Sequence, residues 1–432
     1  MKSIVFLLFC FTITSTSYSQ YTTLSLASCP EKISNNSVCG AIINGNKFIY
    51  SFGGIDTTKS HSGIHNRCYK YSVTDDAWQR LPDLPISPTR IASGASVINN
   101  VAYIIGGYHV FANGNEQSSN LVHRLNLEAD TFLTNGMPLP VATDDHVQAV
   151  YKDSLIYVIT GWSQNTNINN TQIYDPQLDS WLVGTPVPNN HSFKSFGSSG
   201  AIIGDTLYYL GGARMGLNFP ITHLLRKGYI NPSNPIDIIW SVDTLNADLI
   251  GYRMAASTLN NKIIWFGGSN KTYNYNGIAY QGNTPVNPNN RILIFDPALN
   301  SWDTTFYPEI NMDFRGVASF DCDYYLIGGM ESNQKVSNRC LKVSCNPNTV
   351  KEHINAEIGI FPNPNSGSFI IKCSNYSPSL KANLYSSTGL HLMSIRLNNE
   401  ITKVETMRLN PGIYYLWVES STRIKVEKII IQ

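Results

Sequence analysis

The sequence predicts an all-β chain, a six-bladed β-propeller followed by a small C-terminal β-sandwich. Three observations carry this expectation. A short apolar strand ending in a small-residue pair recurs six times. An aromatic or apolar residue is followed seven positions later by a large aromatic in most of the same units. From about Ile354 the pattern changes to a different strand rhythm.

The repeats set the period. Phe48–Phe52 runs into Gly53-Gly54, Tyr103–Ile105 into Gly106-Gly107, and Tyr157–Ile159 into Thr160-Gly161. Tyr208–Leu210 precedes Gly211-Gly212, Ile264–Phe266 precedes Gly267-Gly268, and Tyr324–Ile327 precedes Gly328-Gly329. The pairs start 51 to 61 residues apart, a spacing typical of arrays and propellers. The second mark is Tyr71 with Trp78, Leu125 with Phe132, Tyr174 with Trp181 and Phe295 with Trp302; blade four stretches it from Tyr229 to Trp240. In this the sequence resembles the Kelch family, whose blades carry a glycine doublet after the second strand and a Tyr/Trp pair on the third and fourth. Four short strands cannot bury a core alone, so units stack and bury their aromatics between neighbours. Closing six of them in a ring leaves only short, protected edges.

Ring closure is also legible. The sixth unit has a third strand, Arg339 to Val343, but no following tryptophan strand. Tyr21 to Leu26 is a spare strand that should complete that blade. Before it, Lys2, the apolar run Ile4 to Ile13 and Ser17-Tyr18-Ser19 form a signal-peptide pattern over residues 1–19, with a cut before Gln20. The run is too short to span a bilayer, and no other stretch reaches eighteen apolar residues, so no transmembrane segment is expected in the mature chain. Residues 20–350 are then the propeller and 351–432 a separate domain.

Of eight cysteines, Cys10 leaves with the signal, and an exported chain can form disulfides. Cys29 lies just beyond the spare strand and Cys345 just beyond its proposed neighbour, so Cys29–Cys345 is the leading pair and Cys29–Cys39 the local competitor. Cys68 and Cys340 share an Asn-Arg-Cys context and read as buried thiols, as does Cys373 in the tail. No CxxC pair or His-rich cluster suggests a metal site, and no cofactor is expected.

The tail opens with Ile360-Phe361-Pro362-Asn363-Pro364, followed by Gly367 and Phe369-Ile370-Ile371. Ala382–Tyr385 and Thr388-Gly389 read as a hairpin, and Pro411-Gly412-Ile413-Tyr414 and Lys428–Gln432 close the chain. These ordered motifs resemble the C-terminal sorting domain of cargo for the type IX secretion system of Bacteroidota. The resemblance implies the outer-membrane secretion machinery as a partner, and a protein that is secreted or held at the cell surface.

Charged residues are 14% of the chain and the net charge is +1, so nucleic-acid binding has no electrostatic footprint. The default site is the face carrying the inter-blade connections and the loops between second and third strands. Two residue sets map there. The first, near the start of the innermost strands, is Arg90, His146, Lys194, Arg253 and Arg315, with Asp144 and Asp145 beside His146. Arg90, Arg253 and Arg315 precede their doublets by 16, 14 and 13 residues, offsets that turn lengths could absorb. The set reads either as a cationic mouth clamping a carboxylate or as arginines knitting the ring. The second set, after the doublets, is Trp162, Arg214 with Met215, and Tyr273, Tyr275 and Tyr280 in the long blade-five insertion. Rigid aromatics among hydrogen-bonding neighbours suit stacking on sugars or a protein surface.

Catalytic templates fail: there is no GxSxG elbow and no Gly-rich phosphate loop. Asp144 and Asp145, adjacent on a strand, should face opposite ways. The reading is a glycan- or protein-binding adhesion module. The alternative is a sugar-isomerising enzyme resembling Kelch-class sialic-acid mutarotases. His146 with Asp144 or Asp145 would supply acid–base help there, and Arg90, Arg253 and Arg315 would hold the carboxylate. A copper-radical oxidase of the galactose-oxidase type, which shares Kelch blades, would need a Cys–Tyr crosslink and clustered histidines, and the nine His are scattered.

Overall fold

A computed structural model describes residues 21–345, 352–353, 358–373, 381–387, 390–397, 399–406, 409–419 and 423–432. The signal-peptide reading and the Thr388-Gly389 turn lie outside the described residues, as does the side chain of Cys373. The chain divides into two compact units, one of them Tyr21–Cys345 and the other C-terminal to it.

Tyr21–Cys345 folds into six four-stranded sheets. Five are sequential meanders, with first strands Ser37–Ile43, Gly94–Ile98, Val147–Tyr151, Ser199–Ile203 and Ala255–Leu259. The sixth runs Ala318–Phe320, Asp323–Ile327, Cys340–Cys345 and then Tyr21–Leu26, so the first described strand closes the last sheet. The Tyr307 hydroxyl clamps that strand, accepting from the Tyr21 amide at 3.1 Å and donating to the Tyr21 carbonyl at 2.8 Å.

Closure of the ring follows from where the core lies. Each interface between consecutive sheets holds its own buried cluster. Tyr50 and Leu81 of blade one meet Ile104 and Leu125 of blade two. Tyr103 of blade two meets Tyr174 of blade three, and Tyr157 of blade three meets Tyr209 of blade four. Leu225 packs with Trp265, Phe266 with Tyr324, and Tyr325 of blade six returns to Tyr71 of blade one. The driving force is therefore burial between blades rather than within one.

The sequence marks have direct structural causes. Tyr71 stands opposite Trp78, Leu125 opposite Phe132, Tyr174 opposite Trp181 and Phe295 opposite Trp302 in register. Seven residues is the length of the hairpin that brings each pair face to face, with Tyr174 and Trp181 rings 4.9 Å apart. Blade four departs from the expected pair. Trp240 stands opposite Gly228, not Tyr229, and its ring instead meets Tyr209 at 6.3 Å. At the doublet Gly211-Gly212 both residues are left-handed, with φ of 66° and 76°. A Cβ on Gly211 would collide with the Gly251 carbonyl of the next connection, and the Gly212 amide donates to that same carbonyl at 3.0 Å. Close backbone approach between blades is what requires the glycines.

The disulfide is Cys322–Cys345, which corrects the expected Cys29–Cys345 pair. Tyr21–Leu26 runs antiparallel to Cys340–Cys345, with Tyr21 opposite Cys345 and Leu26 opposite Cys340. Residues after Leu26 therefore emerge at the Cys340 end of the sheet, and the Cys29 amide bonds to Asn338 there. Cys29, Cys39, Cys68 and Cys340 are free and buried, so the Cys29–Cys39 alternative is not formed either. Burial pushes the thiols of Cys29, Cys39 and Cys68 up to about 12, which keeps them unreactive. The Cys322–Cys345 bridge spans 23 residues, so Cys322→Ser is expected to cost about 3 kcal/mol, read from the urea unfolding midpoint under non-reducing conditions.

The C-terminal unit is a two-layer β-sandwich. Ile358–Phe361, Ser368–Cys373 and Ile401–Glu405 form one sheet. Glu352–His353, Arg423–Ile431, Gly412–Glu419, Lys381–Ser386 and His391–Arg396 form the other. Phe369, Ile371 and Val404 pack against Leu384, Leu416, Val418 and Ile429 between them. The opening Pro-Asn-Pro motif and the closing strand meet here. Asn363 accepts from the Ile430 amide at 2.8 Å, and buried Asn365 donates to the Ile430 carbonyl at 3.1 Å.

Candidate functional site

The innermost strands enclose a channel of about 460 Å³ lined by hydroxyls and amides, among them Ser96, Gln148, Ser199, Ser257 and Ser319. Gln148 donates to Ser96 at 2.9 Å, and His146 Nε2 meets Gln148 at 3.1 Å. Burial lowers His146 to about 4, so its imidazole is neutral and donates through Nε2.

One mouth of this channel is closed by a girdle. Each inter-blade connection contributes one left-handed residue: Asn35, Ala92, Asp145, Gly197, Arg253 and Asp313, with φ between 49° and 67°. Their backbones are stitched around the ring. Asp145 donates to Ala92 at 3.3 Å, Gly197 to Asp145 and Arg253 to Gly197 at 2.8 Å, and Asn35 to Asp313 at 3.4 Å. Phe314 donates to the Arg253 carbonyl at 3.1 Å, and the Asn35 side chain receives the Ala92 amide at 2.9 Å. Left-handed Arg and Asp residues are costly alone, so the surrounding bonds hold them.

The girdle side chains form a buried charge cluster. Arg253 is 1% exposed and binds Asp145 in a fork, Nη2 to Oδ2 at 2.7 Å and Nε to Oδ1 at 3.2 Å. Its Nη1 reaches Asp313 at 3.2 Å. Arg315 pairs with Asp145 and donates to Asn35 at 3.3 Å, while Ser34 donates to Asp313 at 2.7 Å. Two cations thus face two carboxylates, and the cluster is balanced within itself. Asp144 lies beside it, accepting from Ser118 at 2.6 Å. Burial pushes the Asp144 carboxyl up to about 7, against that hydrogen bond. Asp144 and Asp145 precede the innermost strand Val147–Tyr151 and take different partners, Ser118 for Asp144 and the two arginines for Asp145. Asp145 has φ of 49°, which breaks the alternation, and both acids feel Arg253 and Arg315.

An aromatic layer built from the connections and post-doublet loops of blades three to five lies beside the cluster. Trp162 packs on Phe196 and Phe219 at 5.3 and 5.5 Å, and Phe219 on Tyr280 at 4.8 Å. Phe196 continues to Tyr252 at 5.8 Å, and Tyr252 to Tyr273 at 5.0 Å. The Arg253 guanidinium lies 5.2 Å from the Tyr252 ring centroid. Among the loop residues, Leu217 is 88% and Phe111 38% exposed, with exposed Glu116, Gln164 and Asn218.

The anticipated residues separate into three groups. Arg253, Arg315, Asp144 and Asp145 come together. His146 lines the hydroxyl channel, and Trp162, Tyr275 and Tyr280 are half-buried in the loop layer, as are Arg214 and Met215 in their own loop. Tyr273 is fully buried, its hydroxyl 3.4 Å from Asp313. Arg90 does not join the other arginines: its guanidinium donates to the Ile104 and Leu121 carbonyls and to Ser119, all in blade two. Lys194 is half-buried, three positions before the girdle residue Gly197. The five basic and histidine positions are thus not equivalent along the ring, and only Arg253 occupies the girdle position. Asn35, Asp313, Ser118 and Phe196 escaped the sequence reading. The signal available was the place of Asn35, Phe196 and Asp313 two to five residues before an innermost strand, and of Ser118 near the end of the blade-two post-doublet loop. Among the described residues, no three His, Cys, Asp or Glu side chains are grouped as candidate metal ligands.

Six four-stranded sheets, glycine doublets and the paired Tyr/Trp marks define the N-terminal unit as a Kelch-repeat β-propeller. The C-terminal unit is a sorting domain of the type IX secretion system, a domain that implies export by that route: residues 359–432 match the secretion system C-terminal sorting domain. The chain is similar to Kelch repeat and BTB domain-containing protein 2 of Homo sapiens, 26% identical over 217 residues, 47% of this chain and 32% of that protein. It is similar to Kelch-like protein terF of Aspergillus terreus, 27% identical over 147 residues, 32% of this chain and 31% of that one. The chain spans at most about a third of the length of these curated relatives. Its fold is similar to the solved structure of YjhT, with a TM-score of 0.58 and 17% identity over 73% of this chain and 95% of that one.

Proposed function

We propose that the protein is a recognition module, exported through an N-terminal signal peptide and the type IX system, that binds a glycan or protein at the cell surface through its loop face. The carrying observation is the balanced, buried cluster at the girdle. Arg253 and Arg315 already hold Asp145 and Asp313, so neither cation is free to clamp a ligand carboxylate, and recognition falls to the loops. Exposed Leu217 and Phe111, half-buried Trp162, Tyr275 and Tyr280, and amide-rich neighbours form an amphipathic surface of the sort that stacks on sugar rings. Saturation-transfer NMR of the purified protein with a panel of saccharides tests this. Transfer to sugar protons with no faster anomeric exchange is the expected result. Silence across the panel points to a protein partner.

A second reading rests on one observation, the raised carboxyl of buried Asp144 near Arg253 and Arg315. An acid near 7 suits the proton transfers of sugar ring opening, the chemistry of the isomerase alternative. Accelerated α/β exchange of sialic acid that disappears in Asp144→Asn would replace the binding reading with this one.

A further inference from the structure

Blade five carries the longest post-doublet insertion, and a separate cleft of about 340 Å³ opens at its base. Lys271 and Arg291 line it together with the amide side chains of Asn270, Asn287 and Asn289, and no acidic residue contributes. Pro285 and Pro288 bracket one wall, which fixes backbone dihedrals and limits the ordering cost of binding. The far ends of this wall are tied down. The Asn289 amide donates to Gly268 at 2.7 Å, and Asn287 accepts from the Asn333 amide at 3.0 Å.

Neither cation of the cleft forms a close ion pair. Among the described residues neither Lys271 nor Arg291 has a carboxylate within ion-pair distance, while most other described lysines and arginines of the propeller do or are spent on backbone carbonyls. Arg291 gives one nitrogen to the Asp248 carbonyl and lies 5.5 Å from the Phe306 ring centroid. Its Nε is buried with no protein acceptor. Burial accordingly pulls the guanidinium below its usual range, with the Asp248 charge opposing. The half-buried Arg291 guanidinium, the exposed Lys271 and the amide groups of Asn270 and Asn287, with no carboxylate among the lining residues, complement an anionic oxygen group carried on a polar, hydroxylated body.

We propose that this cleft binds an acidic saccharide unit, with the carboxylate or sulfate between Lys271 and Arg291 and the ring hydroxyls on the asparagines. The inference rests on the glycan form of the recognition reading and names its ligand class. The cleft sits at the small end of ligand pockets, the size of one or two sugar rings.

The test is isothermal titration of the full chain with four probes: an oligogalacturonate, a sulfated galactan oligosaccharide, a neutral galacto-oligosaccharide of equal length, and sodium sulfate. Binding of either acidic oligosaccharide, weakened about tenfold in Lys271→Gln and in Arg291→Gln, is expected, and the tighter of the two identifies the anionic group. Lys271 is exposed, so its variant keeps the fold, and Lys335→Gln, 65% exposed on blade six, serves as a charge control that changes nothing. Equal binding of the neutral oligosaccharide, insensitive to Lys271→Gln, overturns the cleft assignment and leaves glycan recognition standing. Sulfate binding as tightly as the saccharides reduces the site to an adventitious anion only and overturns the ligand class. Failure of all three saccharides overturns the inference, while the saturation-transfer panel decides the glycan reading separately.

Discussion

Arg253→Ala is expected to destabilise the propeller by about 3–5 kcal/mol, the cost of removing one partner from a buried charge cluster. The guanidinium is 1% exposed and bonds two carboxylates, Asp145 and Asp313, that are 3% and 0% exposed. Asp145 retains Arg315 after the substitution, but Asp313 keeps only Ser34 at 2.7 Å and the Tyr273 hydroxyl at 3.4 Å. An uncompensated carboxylate in that setting dominates the loss, and the cavity beside Tyr252 adds to it. Combining Arg253→Ala with Asp313→Asn removes the stranded charge and recovers part of the stability, so the two substitutions are strongly non-additive. Urea unfolding of the four proteins in a double-mutant cycle measures this directly. A loss below about 1 kcal/mol for Arg253→Ala would show that the cluster does not hold the girdle. It would return Arg253 to the role of a ligand clamp.

Acid should unfold the propeller steeply. His65, His123 and His146 are 7%, 0% and 6% exposed, and burial lowers each to about 4. Each therefore binds its proton in the unfolded chain near 6.5 but in the folded chain only near 4. Stability present above pH 6.5 is lost as pH falls towards 4. Asp144 works the other way. Its carboxyl, raised to about 7, keeps its proton in the fold while the unfolded chain has lost it above the usual carboxylate range. Between pH 4.5 and 6 the three histidines outweigh Asp144 by about two protons, so these four groups contribute a slope of about 3 kcal/mol per pH unit. The urea midpoint should fall sharply across that window. His146→Gln should flatten the slope by about half and Asp144→Asn should steepen it by about half. A midpoint independent of pH from 7 to 4.5 would contradict the buried neutral state of these imidazoles.

How much of this was legible beforehand differs by level. The doublets and the seven-residue aromatic pairs disclosed the blades because both are local: a glycine pair at a strand end and a hairpin of fixed length recur wherever the same sheet forms. The spare strand Tyr21–Leu26 and the sixth unit's missing partner disclosed closure by complementarity. Blade four misled because Gly228 replaces the expected aromatic, and only the register placed Trp240 over it. The disulfide misled because strand proximity in sequence says nothing of direction. Antiparallel pairing sends Cys29 to the Cys340 end and leaves Cys345 to Cys322.

The candidate site divides along the same line. Position near the start of the innermost strands singled out Arg253 and Arg315, and Asp144 and Asp145 as neighbours of His146. Whether those charges meet a ligand or one another depends on which side each turns to at the channel mouth. A single left-handed dihedral at Asp145 and at Arg253 decides that, and such dihedrals are set by the neighbouring blades. Arg90, alike in sequence, turned into its own blade instead. The sequence by itself determined the all-β propeller, its strand-swapped closure and the sorting tail, since periodicity and ordered motifs are properties of the chain. The girdle and the charge-balanced cluster were decided only by the tertiary structure, because each joins residues from separate blades that nothing but ring closure brings within a hydrogen bond; the acid-free cleft depended on how the two ends of one long insertion fold back on each other.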